Sequence, residues 1–149
     1  DGTVDPGELC DDGNASPGDG CDDSCIPEWE PETEPNNTFG ASGVKSAMFG
    51  TGTLSPSGES DIWILPLTDG ATYRIRTFTT PDGGCGTTAA DDLTFKVYHG
   101  STEILSAGGL CPSTTFVATG AGSPPWRLEI KPTDWLTSVP AYYFLVEQL

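Results

Sequence analysis

Six side chains in two short segments offer only oxygen or amide groups to a ligand. They are Glu32, Glu34, Asn36, Asn37, Glu59 and Asp61. A hard cation such as Ca²⁺ takes six to eight oxygen ligands at about 2.3–2.6 Å. Alternate residues of an extended chain point the same way, so Glu32, Glu34 and Asn36 can converge on one ion. These residues form a first candidate Ca²⁺ site. An ordinary solvated acidic linker is the alternative, and composition alone slightly favours it.

A second candidate Ca²⁺ site lies in the N-terminal segment, where acidic and amide side chains crowd between three cysteines. Its members are Asp11, Asp12, Asn14, Asp19, Asp22 and Asp23. Crowded carboxylates repel one another unless a cation lies between them. The neighbouring glycines permit tight backbone curvature, but the spacing is not that of an EF-hand loop. The alternative is a set of solvated acids on a disulfide-held knot.

The charge of the chain is strongly uneven. The net charge is −16, and twelve of the 22 acidic residues lie in residues 1–34, which contain no Lys or Arg. Such a chain repels phosphate groups, so nucleic acid and anionic membranes are poor partners. No apolar run approaches the roughly 20 residues of a membrane span, so we expect no membrane insertion.

Catalytic motifs are weak in this sequence. His99 is the only histidine, no G-x-S-x-G motif is present, and nothing places two carboxylates in a cleft. We therefore predict that the chain is not an enzyme. Trp63, Trp126 and Trp135 could form a carbohydrate-binding platform, but strand alternation assigns most of them to the core, with Trp135 the one expected to be exposed.

The elements that must position these residues are short β-strands. Gly and Pro together number 32 residues, which favours many turns over a helical bundle. Period-2 alternation is clear in TYRIRTFT, LTFKVYH and WRLEIK, and DIWILPL and AYYFLVE add further strands. About eight such strands predict an all-β fold, an antiparallel jelly-roll-like β-sandwich.

The chain divides into three predicted segments. Residues 1–27 form an acidic, cysteine-rich segment with too few apolar side chains to fold by burial, so it is either disordered or held by disulfides and metal. The placement of its cysteines favours the second. Residues 28–38 form a linker, which we expect Trp29 to anchor on the body. Residues 39–149 form the β-sandwich domain.

Two of the five cysteines are predicted to pair through the topology of a hairpin. Cys85 precedes the strand at 93–99, and Cys111 follows the strand at 102–107. If these strands form a hairpin across His99-Gly100-Ser101, both cysteines emerge at its open end. A Cys85–Cys111 disulfide is therefore expected, with two free thiols as the alternative.

The N-terminal string CDDGN-ASPGDG-CDDSC resembles the short cysteine-rich repeat of secreted myxobacterial proteins, which is distantly similar to calcium-binding Notch-type repeats. That repeat has a further upstream cysteine, so we expect a longer precursor. We take Cys10 and Cys25 as disulfide cysteines of this segment, while the partner of the odd cysteine among Cys10, Cys21 and Cys25 stays open.

The body resembles the bacterial pre-peptidase C-terminal domain through three segments. These are ETEPNNTF (32–39), GTGTLSPSGESDIWILPLTDG (50–70) and DDLTFKVYHG (91–100). That family is a β-sandwich appended to secreted proteases and collagenases and used as a binding module. The resemblance implies that the linker acids, the Asn residues and the sandwich-loop acids bind Ca²⁺. With this resemblance, a calcium site becomes the favoured interpretation of the first candidate site, ahead of an ordinary acidic linker.

The sequence thus predicts a secreted or cell-surface bacterial module that is non-catalytic and binds calcium. Its expected partner is an extracellular protein or polysaccharide, or further copies of itself. One alternative is a carbohydrate-binding module of a secreted hydrolase. Another is a subunit of an extracellular filament, suggested by the odd cysteine and by an acidic segment that could dock on the next copy.

Overall fold

The computed structural model describes residues 2–120 and 124–149; residues 1 and 121–123, which belong to the first and third predicted segments, lie outside the described residues. The described residues form ten β-strands and one short 3₁₀ turn at Ala89–Asp91, with no α-helix. The strands are β1 (Glu30–Pro31), β2 (Lys45–Ser46), β3 (Phe49–Leu54), β4 (Asp61–Leu65), β5 (Thr72–Phe78), β6 (Asp92–His99), β7 (Thr102–Leu110), β8 (Ser113–Val117), β9 (Trp126–Pro132) and β10 (Val139–Gln148).

The strands form two five-stranded sheets that enclose one core. The first sheet has the order β1-β3-β10-β5-β8, and the second has the order β2-β4-β9-β6-β7. The predicted all-β sandwich is confirmed. Two of the strand pairs, β1 with β3 and β2 with β4, are parallel rather than antiparallel. Both lie at sheet edges, where a two-residue strand entering from a loop can run in either direction.

Alternation along each strand determines which side chains reach the core. In β5 the side chains of Tyr73 and Ile75 are buried in the core cluster, while Arg74 and Arg76 face the opposite side. The same period of two buries alternate residues of β6 and β9. Trp63 and Trp126 belong to this core, as the alternation predicts, and Trp135 is 54% exposed.

The linker is attached to the sandwich. Trp29 packs edge-on against Phe78 and Tyr143, with ring centroids 6.2 and 5.2 Å apart, and its indole N–H donates to the carbonyl of Pro81. The next two residues form β1. The predicted anchoring role of Trp29 is therefore found, and the linker is partly a strand. The boundaries at 27 and 38 stay a prediction.

Among the described residues, no helix has the length and apolar character needed to cross a membrane.

Candidate metal centre

The linker brings its acidic side chains to the sandwich through backbone hydrogen bonds. Just after β1, the backbone N–H of Glu32 donates to the carbonyl of Thr51 at 2.9 Å. Four residues later, the carbonyl of Asn36 accepts from the backbone N–H of Ile62 at 3.0 Å. The linker therefore crosses from the edge of the first sheet to the start of β4 in the second. This crossing places Glu32, Glu34 and Asn36 beside Asp61.

Three carboxylates converge at this crossing. Glu32, Glu34 and Asp61 each offer an oxygen, and these oxygens lie within 4.8 Å of one another. Within residues 2–120 and 124–149, no other group of three Asp, Glu, His or Cys side chains meets this condition. The convergence that the linker sequence predicts for Glu32 and Glu34 is thus present, and Asp61 completes the group.

Asp61 and Asn36 are buried in a way that demands a partner. Asp61 is 0% exposed and Asn36 is 1% exposed. Neither carboxylate oxygen of Asp61 has a hydrogen-bond partner among the described residues, and neither has the amide oxygen of Asn36. The amide nitrogen of Asn36 donates to Glu32 at 3.3 Å. Buried polar atoms without partners are rare because each costs about 1–3 kcal/mol, and more when charged. Three such oxygens beside two further carboxylates suit a cation.

The electrostatics of the centre oppose ionisation when no cation is present. Burial, followed by the neighbouring Glu32 carboxylate, raises the pKa of Asp61 to about 9. Burial also raises the pKa of Glu34, and the carboxylates of Glu59 and Glu32 raise it further. Burial and the nearby Asp61 raise the pKa of Tyr142 well above its usual value. A bound cation would reverse this effect for the carboxylates, because it favours their charged form.

Sequence reasoning missed Gly52 and Tyr142, which close the centre from the first sheet. They are opposite one another on β3 and β10. A Cβ at Gly52 would come within 2.5 Å of both the Glu32 carboxylate and the Tyr142 hydroxyl. The Tyr142 hydroxyl accepts from the indole N–H of Trp63 at 3.0 Å. No local pattern could have found Tyr142, because it comes from the last strand.

The remaining two predicted members, Asn37 and Glu59, contact each other beside the centre. The amide nitrogen of Asn37 donates to Glu59 at 2.9 Å, and the other Glu59 oxygen accepts from the backbone N–H of Ser55 at 2.6 Å. Glu59 lies close enough to raise the pKa of Glu34. The structure therefore places this pair in a supporting position rather than within the group of three converging carboxylates.

Asp61 is fully buried although it stands at the start of its strand. It is the first residue of β4, opposite Ile130 of β9, so its side chain faces inward with the alternate residue Trp63. The candidate centre therefore lies at the end of the core, covered by the linker.

The acidic residues of the N-terminal segment are arranged differently. Asp11 accepts hydrogen bonds from the backbone N–H groups of Gly13 and Gly2, which lower its pKa to about 2. Asp22 accepts from the backbone of Ser24 and Ile26 in the same way. These carboxylates hold local turns instead of converging.

The other predicted ligands of this segment also make local contacts. Asp12 accepts from the backbone N–H of Asn14 at 3.1 Å, and the amide nitrogen of Asn14 donates to Asp19 at 2.9 Å. Three Asp or Glu side chains do not meet at one point in residues 2–27. Calcium binding in this segment therefore stays a prediction, and the described geometry adds no support for it.

The cysteines form two disulfides among the described residues. Cys85 is joined to Cys111, the pairing that the hairpin topology predicts, and β6 and β7 do form that hairpin. Cys10 is joined to Cys21, not to Cys25. The expectation that Cys25 is oxidised is wrong: its thiol lies 3.3 Å from the Glu8 carboxylate and donates to it. Cys25 lies in the turn at Asp22–Ile26 with a positive φ of 58°, and its carbonyl accepts from the backbone N–H of Leu9 at 3.1 Å.

Comparison with known proteins supports the fold. No protein-family model and no curated protein matches the sequence. Among solved structures, the chain is similar to the pre-peptidase C-terminal domain of a collagenase from Bacillus anthracis. The match has a TM-score of 0.51 and 12% sequence identity, and it covers 70% of this chain and 91% of that one. At this identity the likeness defines the β-sandwich architecture, which the resemblance in sequence motifs also predicts.

Proposed function

We propose that this chain is a non-catalytic, calcium-binding β-sandwich module of a secreted or cell-surface bacterial protein. The observation that carries the proposal is the fully buried Asp61, whose two carboxylate oxygens have no hydrogen-bond partner and face the carboxylates of Glu32 and Glu34. A fold does not keep such a group without a compensating charge, unless the group is protonated.

The chemistry of the donor set favours Ca²⁺ over other metals. Every candidate ligand is a carboxylate or an amide oxygen, and no Cys or His belongs to the described group, which argues against Zn²⁺. Mg²⁺ demands near-octahedral geometry and usually keeps several waters, so it fits an irregular set of three carboxylates and one amide less well. Glu32, Glu34, Asp61 and the amide oxygen of Asn36 would hold the ion.

The proposed ion would act as a structural clamp. Glu32, Glu34 and Asn36 belong to the linker, whereas Asp61 begins β4, so one ion would tie the linker to the core of the sandwich. The contacts of Trp29 with Phe78 and Tyr143 hold the same linker on the first sheet. Together they would fix the direction in which the N-terminal segment leaves the sandwich.

Two features support an extracellular role in binding or assembly. Two disulfides are stable in oxidising compartments, and the similar solved structure is a domain of a collagenase. The net charge of −16 disfavours nucleic acid as a partner. The partner we propose is an extracellular protein or polysaccharide, or a further copy of this chain. The burial of Trp63 and Trp126 leaves only Trp135 of the three tryptophans considered for a sugar platform.

Isothermal titration of Ca²⁺ into EDTA-treated, dialysed protein tests the proposal. We expect binding that Asp61→Asn abolishes or weakens by at least about tenfold. Asp12→Asn is the matched control, because it makes the same chemical change in the N-terminal segment and should leave this site unaffected. Absence of Ca²⁺ binding by the wild type at millimolar concentration would refute the proposal. Loss of binding in Asp12→Asn but not in Asp61→Asn would move the site to the N-terminal segment.

A further inference from the structure

The longest stretch of the sequence without a charged residue contributes two neighbouring strands at one side of the sandwich. From Ile104 through Trp126 the sequence contains no Asp, Glu, Lys, Arg or His, although the whole chain has a net charge of −16. This stretch includes most of β7 and all of β8. These two are the last strands of the second and first sheets, and only Cys111 and Pro112 lie between them. An acidic molecule thus has one uncharged side where two strand edges lie close together.

The β7 edge has one bulge near Ile104 but little of the charge, and none of the proline or short length, that also protect edge strands. An exposed edge presents unpaired backbone N–H and C=O groups, and proteins commonly protect it with charged residues, proline or a very short strand. β7 is nine residues long, contains no proline, and has Glu103 as its single charged residue. Its described backbone pairing is with β6 alone. Ile104 and Leu110 are each about half exposed on it, and Val117 of β8 is exposed beside it.

The opposite edges of the same sheets are protected. There the edge strands β1 and β2 are two residues long. The Lys45 ammonium on β2 donates to the Glu30 carboxylate on β1 at 2.6 Å, which places a charged pair across this side. The β7 edge therefore differs from the β1 and β2 edges of the same sandwich, which are short and carry a charged pair.

The β7 edge is also well ordered by its attachments. β7 pairs with β6 from Thr102 to Leu110, and the Cys85–Cys111 disulfide holds the residue that directly follows it. The register shift near Ile104 and the positive φ of Gly109 (121°) confine the regular part of the edge to Leu105–Gly108. The edge therefore requires little ordering before another strand can add to it.

We infer that β7 is a self-association edge, at which β7 of a second copy of this chain adds in antiparallel orientation. If the two-fold axis passes at Ala107, Ser106 lies opposite Gly108 of the other copy within the regular part of the strand. The exposed side chains of Ile104 and Leu110 lie just beyond these paired residues, so each end of a two-fold interface receives one of them from each copy.

The charge distribution favours a second copy at this side over any other side. Two molecules that each carry −16 repel, and the repulsion is smallest when the uncharged sides face each other. Salt screens this repulsion, so association through β7 should strengthen as salt is added. Docking of the acidic N-terminal segment on basic side chains of another copy would show the opposite salt dependence. If the purified chain associates with itself, a strand from an unrelated protein is not needed as the partner at this edge.

Sedimentation equilibrium of the purified chain from micromolar to near-millimolar concentration, at low and high salt, tests the inference. We expect a monomer–dimer equilibrium that strengthens with salt and is weakened at least about tenfold by Ser106→Lys. Ser46→Lys is the matched control, because it places the same charge on the opposite edge strand of the same sheet. Circular dichroism checks that each variant is folded. A wild type that is monomeric at all concentrations, or a dimer that Ser106→Lys does not weaken, overturns the inference.

A cross-linking experiment tests the register independently of any loss of folding. Ala107→Cys, made in a Cys25→Ser background, should form a disulfide-linked dimer under mild oxidation, since cross-strand Cβ atoms of opposed residues lie about 4.5–5.5 Å apart. Ser113→Cys in the same background, on β8, should stay monomeric. Equal cross-linking of both variants, or none for Ala107→Cys, refutes pairing centred at Ala107.

Discussion

Replacing Asp61 by Asn should stabilise the metal-free protein, and saturating Ca²⁺ should remove most of this advantage. The pKa of Asp61 is raised from its ordinary value of 3.8 to about 9, mainly by burial. In the metal-free folded protein this carboxyl is therefore protonated at pH 7, whereas in the unfolded chain it is ionised. The folded state binds more protons, so metal-free stability falls as pH rises from about 4 to about 9.

The size of the effect follows from the same pKa. The free energy lost at pH 7 is the cost of protonating a carboxyl group that is ionised in the unfolded chain. At 1.36 kcal/mol per pH unit between its ordinary pKa and pH 7, this cost is about 4 kcal/mol of metal-free stability. That is a large share of the 5–15 kcal/mol that stabilises a typical domain. The Asn side chain has no charge to lose, and its amide can donate to the Glu32 carboxylate as the protonated Asp61 would. In EDTA at pH 7, Asp61→Asn should therefore melt about 8–16 °C higher than the wild type, at about 2–4 °C per kcal/mol for a chain of this size.

Calcium should narrow the difference between the two proteins and cancel it only near or above about 1,000 times the Kd. A ligand at about 100 times its Kd stabilises the folded state by about 2.7 kcal/mol, and at 1,000 times by about 4.1 kcal/mol. The wild type should gain this, while Asp61→Asn should gain little because it has lost a central ligand. Saturating Ca²⁺ should also displace the proton from Asp61, so the affinity should rise about tenfold per pH unit below pH 9.

Thermal melts followed by circular dichroism, in EDTA and in millimolar Ca²⁺ across pH 5–9, measure all of these quantities. Asp134→Asn serves as the control, because it makes the same change at an exposed residue outside both candidate sites, and it should follow the wild type in every condition. If Asp61→Asn is less stable than the wild type in EDTA at pH 8, Asp61 is an ionised, well-paired structural carboxylate and the reasoning fails. It fails equally if the melting temperature of the wild type does not respond to Ca²⁺.

Three further predictions concern the linker anchor Trp29, the hairpin disulfide and the thiol of Cys25. Trp29→Ala removes two ring contacts and one hydrogen bond between linker and sandwich, and chemical unfolding should show a loss of about 2–3 kcal/mol. Replacing both Cys85 and Cys111 by Ser should lower the free energy of unfolding by about 3 kcal/mol through loop entropy, whereas an unchanged denaturation midpoint would contradict this. The Glu8 carboxylate raises the pKa of the Cys25 thiol, so iodoacetamide should modify Cys25 slowly near pH 8, and Glu8→Gln should speed the reaction when followed by mass spectrometry.

The strands, the hairpin disulfide and the convergence of the linker carboxylates could be predicted from the sequence because each depends on local order along the chain. Period-2 alternation assigns Tyr73 and Ile75 to one face of β5 whatever the neighbours are. A two-residue turn between β6 and β7 brings Cys85 and Cys111 to the same end of the hairpin. The spacing of Glu32 and Glu34 in an extended segment puts both side chains on one side.

The tertiary structure alone decided how these elements meet. Asp61 is buried because the linker crosses over the start of β4, and Tyr142 joins the centre because β10 lies between β3 and β5 in the first sheet. Pairings between strands so far apart in sequence depend on the competition among all strands for neighbours, which no short segment encodes. In the N-terminal segment, the spacing of the three cysteines left the partner of Cys10 open, and the structure pairs it with Cys21. Local patterns therefore determined the strands and the candidate acidic side chains of this protein, and long-range packing determined which of them became buried.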